Sequence, residues 1–193
     1  MSESTTARKI EVVALGILEE EGPEAVSMRR IAKAVGVTPM ALYHHFLNRD
    51  AILRATTDRE FERLADYLQT AEDAGSAETQ LLKVMDSYLD YAFTRPRLFD
   101  YVFSQHRSDA RRFPEDFRDR RSPTMNRIAD IVTQAMNTGE FRKDDVWEVA
   151  LELWANVHGY LALFRSGRIA LTEDDFRNLC RRSLGRLFDG IKS

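Results

Sequence analysis

The sequence predicts an all-α protein in which an N-terminal three-helix head is joined by a long helix to a larger helical body. Three observations lead there. Apolar residues return every three or four positions in one segment after another, the period of a helix face, and no run alternates convincingly as a strand would. Ser, Thr and Asn stand just ahead of several of these runs, where a side-chain oxygen can accept an unpaired N–H of the first helical turn. Only five prolines interrupt 193 residues, and 44% apolar residues suffice for a small head and one larger body.

The elements follow in order. Residues 6–21 form a first helix, with Ile10, Val13, Ala14, Ile17 and Leu18 at helical spacing. Ser27 caps a second helix whose stripe is Met28, Ile31, Ala32 and Val35, and Gly36 ends it. Thr38 followed by Pro39 opens a third helix of about two turns, because Pro at the first helical position gives up only an N–H without a partner. Leu42 and Phe46 pin that helix to the core. Asn48 caps a long helix over 49–70 that carries Ile52, Leu53, Phe61, Leu64 and Leu68, and at about 1.5 Å per residue it spans roughly 30 Å.

The small residues of 71–77 read as a turn, and a helix follows over 78–94 until Pro96 breaks it. Residues 97–105 form a short aromatic helix, and the doubly charged stretch 106–121 is a solvated connection or a marginal helix. A helix over 123–137 buries Met125, Ile128, Ile131, Val132 and Met136 before Gly139. The segment 144–166 is apolar on two faces, one with Trp147, Leu151, Trp154, His158 and Leu161, the other with Val146, Ala150, Leu153, Val157, Tyr160 and Phe164. It therefore needs cover on two sides. The last helix has Phe176, Leu179, Cys180, Ser183, Leu187, Phe188 and Ile191 inward, and Arg177, Arg181, Arg182 and Arg186 toward water. Two such helices from each of two subunits could close a four-helix bundle.

Charge is distributed unevenly along this plan. The chain as a whole carries −3, but residues 27–49 contain four Lys or Arg and no Asp or Glu, a local +4 that leaves −7 for the rest. Two short helices joined by a Gly-containing turn inside such a window form a helix-turn-helix, whose second helix can enter a major groove. Its outward face presents Thr38, Met40, Tyr43, His44 and His45, which suits phosphates and base edges. The bland alternative is a helical hairpin with a solvated basic face.

Other classes find little support. One cysteine, Cys180, rules out an intramolecular disulfide framework, and its place in an apolar stripe reads as an inert thiol. No metal-ligand spacing, phosphate-binding loop or nucleophile motif is present, so neither an enzyme nor a cofactor is expected. Without an apolar run of membrane length or a signal segment, the expectation is a cytoplasmic protein with no membrane partner. The remaining rival is a helical adaptor that binds protein instead of DNA.

The stretch GPEAVSMRRIAKAVGVTPMALYHHFLNRDAIL, from Gly22 to Leu53, resembles the N-terminal signature of the TetR family of bacterial transcriptional repressors. Trp154, His158 and Gly159 in WANVHGYLAL look like the Trp-x-x-x-His-Gly segment of a subset of TetR-like C-terminal domains. The resemblance implies a DNA-binding head over 1–48 and a ligand-binding and dimerisation domain over 49–193, with 49–70 as the linking helix. It implies a homodimer on a palindromic double-stranded operator, released by a small-molecule effector. By position, Arg29 is the candidate for guanine readout, and Pro39, Met40 and Ala41 lie where base-edge and thymine-methyl contacts are expected. Ser27, Thr38, Tyr43, His45 and Arg49 lie where phosphate contacts are expected.

Effector binding draws on an aromatic cluster. Tyr88, Tyr91, Phe93, Phe99, Tyr101 and Phe103 fall within sixteen residues, and with Met125, Trp147, Trp154 and His158 they could line a cavity for a largely apolar molecule. Each also has a plain packing reading, His158 included. Gly159 inside a helix costs roughly 1 kcal/mol against Ala, which suggests close approach of another helix.

Overall fold

Helices α1 to α10 carry the chain, and a computed structural model describes residues 2–69, 75–103 and 110–193. Among the described residues there is no strand, only a single antiparallel bridge between Phe141 and Lys192, and no helix long and apolar enough to cross a membrane. The chain divides into two compact units, Met1–Arg63 with Tyr91–Ala110, and Leu64–Asp90 with Arg111–Ser193.

In the first unit, α1 (Ser2–Glu21) buries Ile10, Ala14, Ile17 and Leu18, and each large side chain of that stripe contributes about 1.5–3 kcal/mol by leaving water. Gly22, at φ 89°, turns the chain into a 3-10 turn, Pro23–Ala25, a feature the sequence did not announce. Helix α2 (Met28–Val35) starts on Ser27, whose Oγ accepts the Arg30 N–H at 3.3 Å, and it ends at Gly36 in the left-handed region, φ 79°. Ile31 and Ala32 are buried, while Met28 and Val35 are half-buried.

Helix α3 (Pro39–Tyr43) begins on Thr38, whose Oγ1 accepts the Ala41 N–H at 3.1 Å. It is shorter than the two turns expected. The Leu42 carbonyl accepts from both His45 and Phe46 at 3.0 Å, and this tightening closes the helix after five residues. Leu42 is fully buried and Phe46 half-buried, so the anchoring residues stand as expected. Helix α4 (Arg49–Gln69) is capped by Asn48 Oδ1 on the Ala51 N–H at 2.8 Å.

Helix α5 (Ala77–Thr94) contributes its last turn to this unit, and α6 (Pro96–Phe103) the remainder. Leu98 and Phe99 are buried; the Phe103 ring lies 4.8 Å from Phe99 and 5.5 Å from Phe61. Arg97 donates to the carbonyls of Glu19 and Glu20, two of the unpaired acceptors at the end of α1. These ties explain why residues 91–103 pack with the N-terminal helices and why the unit extends beyond the head expected at 1–48. The expected turn at 71–77 and the end of the aromatic helix at 104–105 lie largely outside the described residues, as do residues 106–109 of the charged stretch.

The second unit holds the first turns of α5, then α7 (Glu115–Arg118), α8 (Pro123–Thr138), α9 (Val146–Arg165) and α10 (Glu173–Ile191). The charged stretch condenses into the single turn of α7 around buried Phe117. In α8 all five expected core residues are buried, and Gly139 ends it at φ 80°. Asp145 caps α9 by accepting the N–H groups of Trp147 and Glu148 at 2.9 and 3.1 Å. Those bonds, foremost Glu148, with the Arg118 guanidinium hold its carboxyl below the usual range. Thr172 caps α10 through the Asp175 N–H at 3.2 Å.

Arg177 corrects the sequence reading of α10. Its side chain is only 14% exposed, with Nη2 2.6 Å from Asp90 and 2.7 Å from Glu173, and Arg181 forks onto Asp86 at 2.8 and 2.9 Å. Asp86 and Asp90, four apart on α5, present a carboxylate row that draws Arg177 inward, while Arg181 pairs with Asp86 and stays exposed as expected. Leu184 fills the buried stripe, while Leu179 and Leu187 remain half-buried.

Candidate nucleic-acid interface

The short α3 holds its first residues on the surface. Ser27, Arg29, Thr38, Pro39, Met40, Tyr43 and His44 are exposed, and Ala41 and His45 half-buried. Met40 is 70% exposed, Tyr43 51% and Leu47 79%, large apolar exposures concentrated on one short segment. Isolated apolar exposure is ordinary on a protein surface, but three such side chains fall within eight residues of a basic window here. Leu47 escaped the sequence reading because the period of α3 stops at Tyr43 and the following turn re-aims the chain.

The caps leave chemistry to spare. Ser27 and Thr38 each accept a backbone N–H through the hydroxyl oxygen, so the hydroxyl hydrogen of each remains able to donate outward, to a phosphate oxygen for example.

The cations divide into two kinds. Arg29 and Lys33 are exposed. Arg30 instead forks onto the Glu21 carboxylate, its Nη1 2.9 Å from Oε2 and its Nη2 on Oε1, which ties the end of α1 to α2; the bond to Arg30 lowers the Glu21 pKa. Arg49, expected at a phosphate, is turned onto the protein itself. Its Nε donates to the Val26 carbonyl at 2.8 Å, its Nη2 donates to the Pro23 carbonyl, and its Nη1 lies 3.4 Å from Asp50 Oδ1.

Sequence reasoning also missed a cluster of charges beside this head. Glu60, on α4, is 2% exposed. It accepts from Arg63 Nη1 at 2.9 Å and from Arg95 Nη1, while Arg95 Nε also holds Glu19 of α1. The Arg95 guanidinium lies 5.9 Å over the Tyr91 ring, and burial together with the Glu60 charge pushes the Tyr91 phenol up, keeping it protonated. Arg59 and Glu11 add a further pair at 2.8 Å. The available signal was an isolated Glu at an inward position of α4, in register with Ile52 and Leu53 but not apolar.

The aromatic candidates separate by unit. In the second unit, Tyr88 Oη and His158 Nδ1 share a 2.8 Å hydrogen bond and the Trp154 ring stacks on His158 at 5.0 Å, so these three come together. Burial lowers the His158 pKa and favours the neutral imidazole. Met125 is 4% exposed on α8, and Trp147 is half-buried at the start of α9. Phe99, Tyr101 and Phe103 belong to the first unit, where the Phe103 ring packs on both Phe99 and Phe61.

Comparison with known proteins adds to this geometry. Residues 10–56 match the family described as bacterial regulatory proteins, tetR family, and residues 81–187, more than half of the chain, match the tetracyclin repressor-like C-terminal domain. An HTH-type transcriptional regulator of Staphylococcus aureus is 29% identical over 82 residues, 42% of this chain and 44% of that protein. The TetC protein of transposon Tn10 from Escherichia coli is 33% identical over 72 residues, 37% of this chain and 36% of that protein. The chain thus spans less than half the length of these curated relatives. Among solved structures, a protein of unknown function from Rhodococcus sp. RHA1 superposes with a TM-score of 0.79 at 23% identity, covering 97% of this chain and 96% of that one. A FadR regulator from Bacillus subtilis in complex with stearoyl-CoA gives 0.72 at 17%, covering 95% and 98%, and at these identities the likeness is one of fold. With both parts of its length matched, the chain belongs to the TetR family of bacterial regulatory proteins.

Proposed function

We propose that this protein is a ligand-responsive transcriptional regulator that occupies a near-palindromic operator as a homodimer, represses there, and is released by a small, largely apolar molecule. The observation that carries the reading is the exposed face of α3, Thr38, Pro39, Met40, Tyr43 and His44, standing in a window free of acidic residues. In this reading Arg29 donates two bonds to guanine, and Pro39, Met40 and Ala41 meet base edges and thymine methyls. Ser27, Thr38, Tyr43, His44 and His45 hold phosphates and fix the register.

The outer face of α9 supports the dimer. Ala155, Gly159, Ala162 and Leu163 are exposed, and among the described residues nothing beyond the neighbouring residues and backbone of α9 itself lies within 4 Å of where a Gly159 Cβ would stand. A helix-interior glycine exposed on its own chain is accounted for by close approach of a second copy. The effector is assigned to the aromatic region, with Tyr88, Trp154 and His158 joined and Met125 and Trp147 in the same unit. Its release signal travels through α4, continuous from Arg49 to Gln69. An effector acts only through different affinities for the two states, and weakening DNA binding 100-fold takes about 2.7 kcal/mol.

The test is selection of duplexes from a random library, followed by anisotropy on the enriched sequence. A palindromic consensus bound by a dimer is expected, and Arg29→Ala should cost about 1–3 kcal/mol and relax one position per half-site. Equal affinity for enriched and scrambled duplexes at physiological salt would overturn the reading.

A further inference from the structure

Arg49 has donors facing two carbonyls of one turn. Nε reaches the Val26 oxygen at 2.8 Å and Nη2 reaches the Pro23 oxygen, with the side chain 35% exposed. Those carbonyls belong to the 3-10 turn Pro23–Ala25 and to the residue that ends it, and the next residue, Ser27, is the cap of α2. Val26 itself is 1% exposed, so the turn is rooted in the core. On the other side Asn48 Oδ1 caps the Ala51 N–H and fixes where α4 begins. A guanidinium presents parallel N–H groups in one plane and can span two carbonyls, whereas an ammonium is a point charge on a flexible stem.

We infer that Arg49 is a positioning residue, a clamp that binds the first turn of α4 to the approach of α2 and so fixes the angle at which α2 and α3 meet DNA. The inference rests on the reading of α3 as the DNA-contacting helix, and it gives Arg49 a different role from the phosphate contact expected by position.

Lysine separates the two roles. A phosphate contact survives Arg49→Lys, and Arg49→Gln then lowers the salt slope of dimer binding by about 1.8, from about 0.9 per phosphate and two heads. A clamp does not survive either change. Both variants should then lose about tenfold in discrimination between the enriched and a scrambled duplex, the scale of one hydrogen bond from a charged donor, while the Arg49→Gln salt slope stays within about 0.5 of the wild type. The measurement is fluorescence anisotropy across about 50–200 mM salt on both duplexes, with far-UV dichroism to establish that each variant is folded. Native-state amide exchange gives a readout independent of DNA: in Arg49→Lys the Arg30 and Ile31 amides should exchange about tenfold faster while the α1 core amides hold. Wild-type discrimination in Arg49→Lys, a slope reduced by about 1.8 in Arg49→Gln, or unchanged exchange at Arg30 and Ile31 would each overturn the clamp. Failure of the wild type to enrich any duplex would instead overturn the DNA-binding reading, and the exchange experiment would still decide the clamp.

Discussion

Replacing Arg95 by Met should destabilise the protein by about 2–3 kcal/mol, and the figure follows from what Glu60 keeps. Breaking a buried ion pair costs about 3–5 kcal/mol when the stranded charge has no other partner. The Glu60 side chain is 1% exposed, but it retains Arg63, whose own side chain is 61% exposed and screened by water. Arg63 therefore recovers part of the loss and no more. Glu19, 29% exposed, can return to solvent and adds little. Met fills the volume of the arginine stem, so packing is largely preserved. Urea unfolding followed by dichroism at neutral pH measures the change, and Glu60→Gln closes the cycle. With the carboxylate gone, Arg95→Met removes nothing essential, so the double variant should be less destabilised than the sum of the singles by about 1–2 kcal/mol. An Arg95→Met loss under about 0.5 kcal/mol, the scale of an ordinary surface change, would refute the account of Glu60 as a buried charge dependent on Arg95.

His158 and Cys180 supply the remaining expectations. The His158 pKa lies below its ordinary value of 6.5 in the folded state because burial disfavours the imidazolium, so its contribution to stability is complete above about pH 6.5 and is lost as pH falls from there through the folded value. Unfolding free energies of wild type and His158→Gln, measured between about pH 8 and 5, should converge on the acid side, and parallel curves would count against a desolvated imidazole. Burial pushes the Cys180 thiol up to about 11 despite nearby Arg177 and Arg181, so iodoacetamide near pH 8 should leave the native protein unlabelled and label it in urea. Native labelling at the rate of a free peptide thiol would mean that α10 does not bury that residue.

The elements legible in the sequence were those defined by local rules. Ser27, Thr38 and Asn48 cap the helices they were expected to cap, and Gly36 and Gly139 take the left-handed geometry that ends α2 and α8. A cap bond spans three residues and a helical stripe spans a few turns, so both are written in nearby residues. What stayed hidden depends on partners far along the chain. Arg177 reads as a solvated cation until Asp90, 87 residues earlier, is brought beside it. Glu60 reads as a surface carboxylate until Arg95 covers it, and the position of Arg49 is informative only once the carbonyls of Pro23 and Val26 are in reach. The length of α3 was misjudged for a different reason: apolar Phe46 continues the period, while the backbone has already closed on the Leu42 carbonyl.

These long-range pairings change what the local charge means. A window of +4 suggests four cations for the phosphate backbone, yet Arg30, though exposed, is forked onto Glu21 and Arg49 is turned onto the turn before α2, which leaves Arg29 and Lys33 as the exposed cations outside those two contacts. Two of the four charges therefore act within the protein, where they hold the end of α1, the start of α2 and the start of α4 in one arrangement. Fewer phosphate cations mean weaker sequence-independent binding, and on the proposed reading discrimination then rests on Arg29 at guanine and on Pro39, Met40 and Ala41 at base edges, held in register by the phosphate contacts of Ser27, Thr38, Tyr43 and His44. Such contacts act over a few ångströms and fail when α3 is tilted. On the proposed reading the internal fastening and the recognition surface depend on each other, and the intramolecular arginines bear on specificity without touching a base.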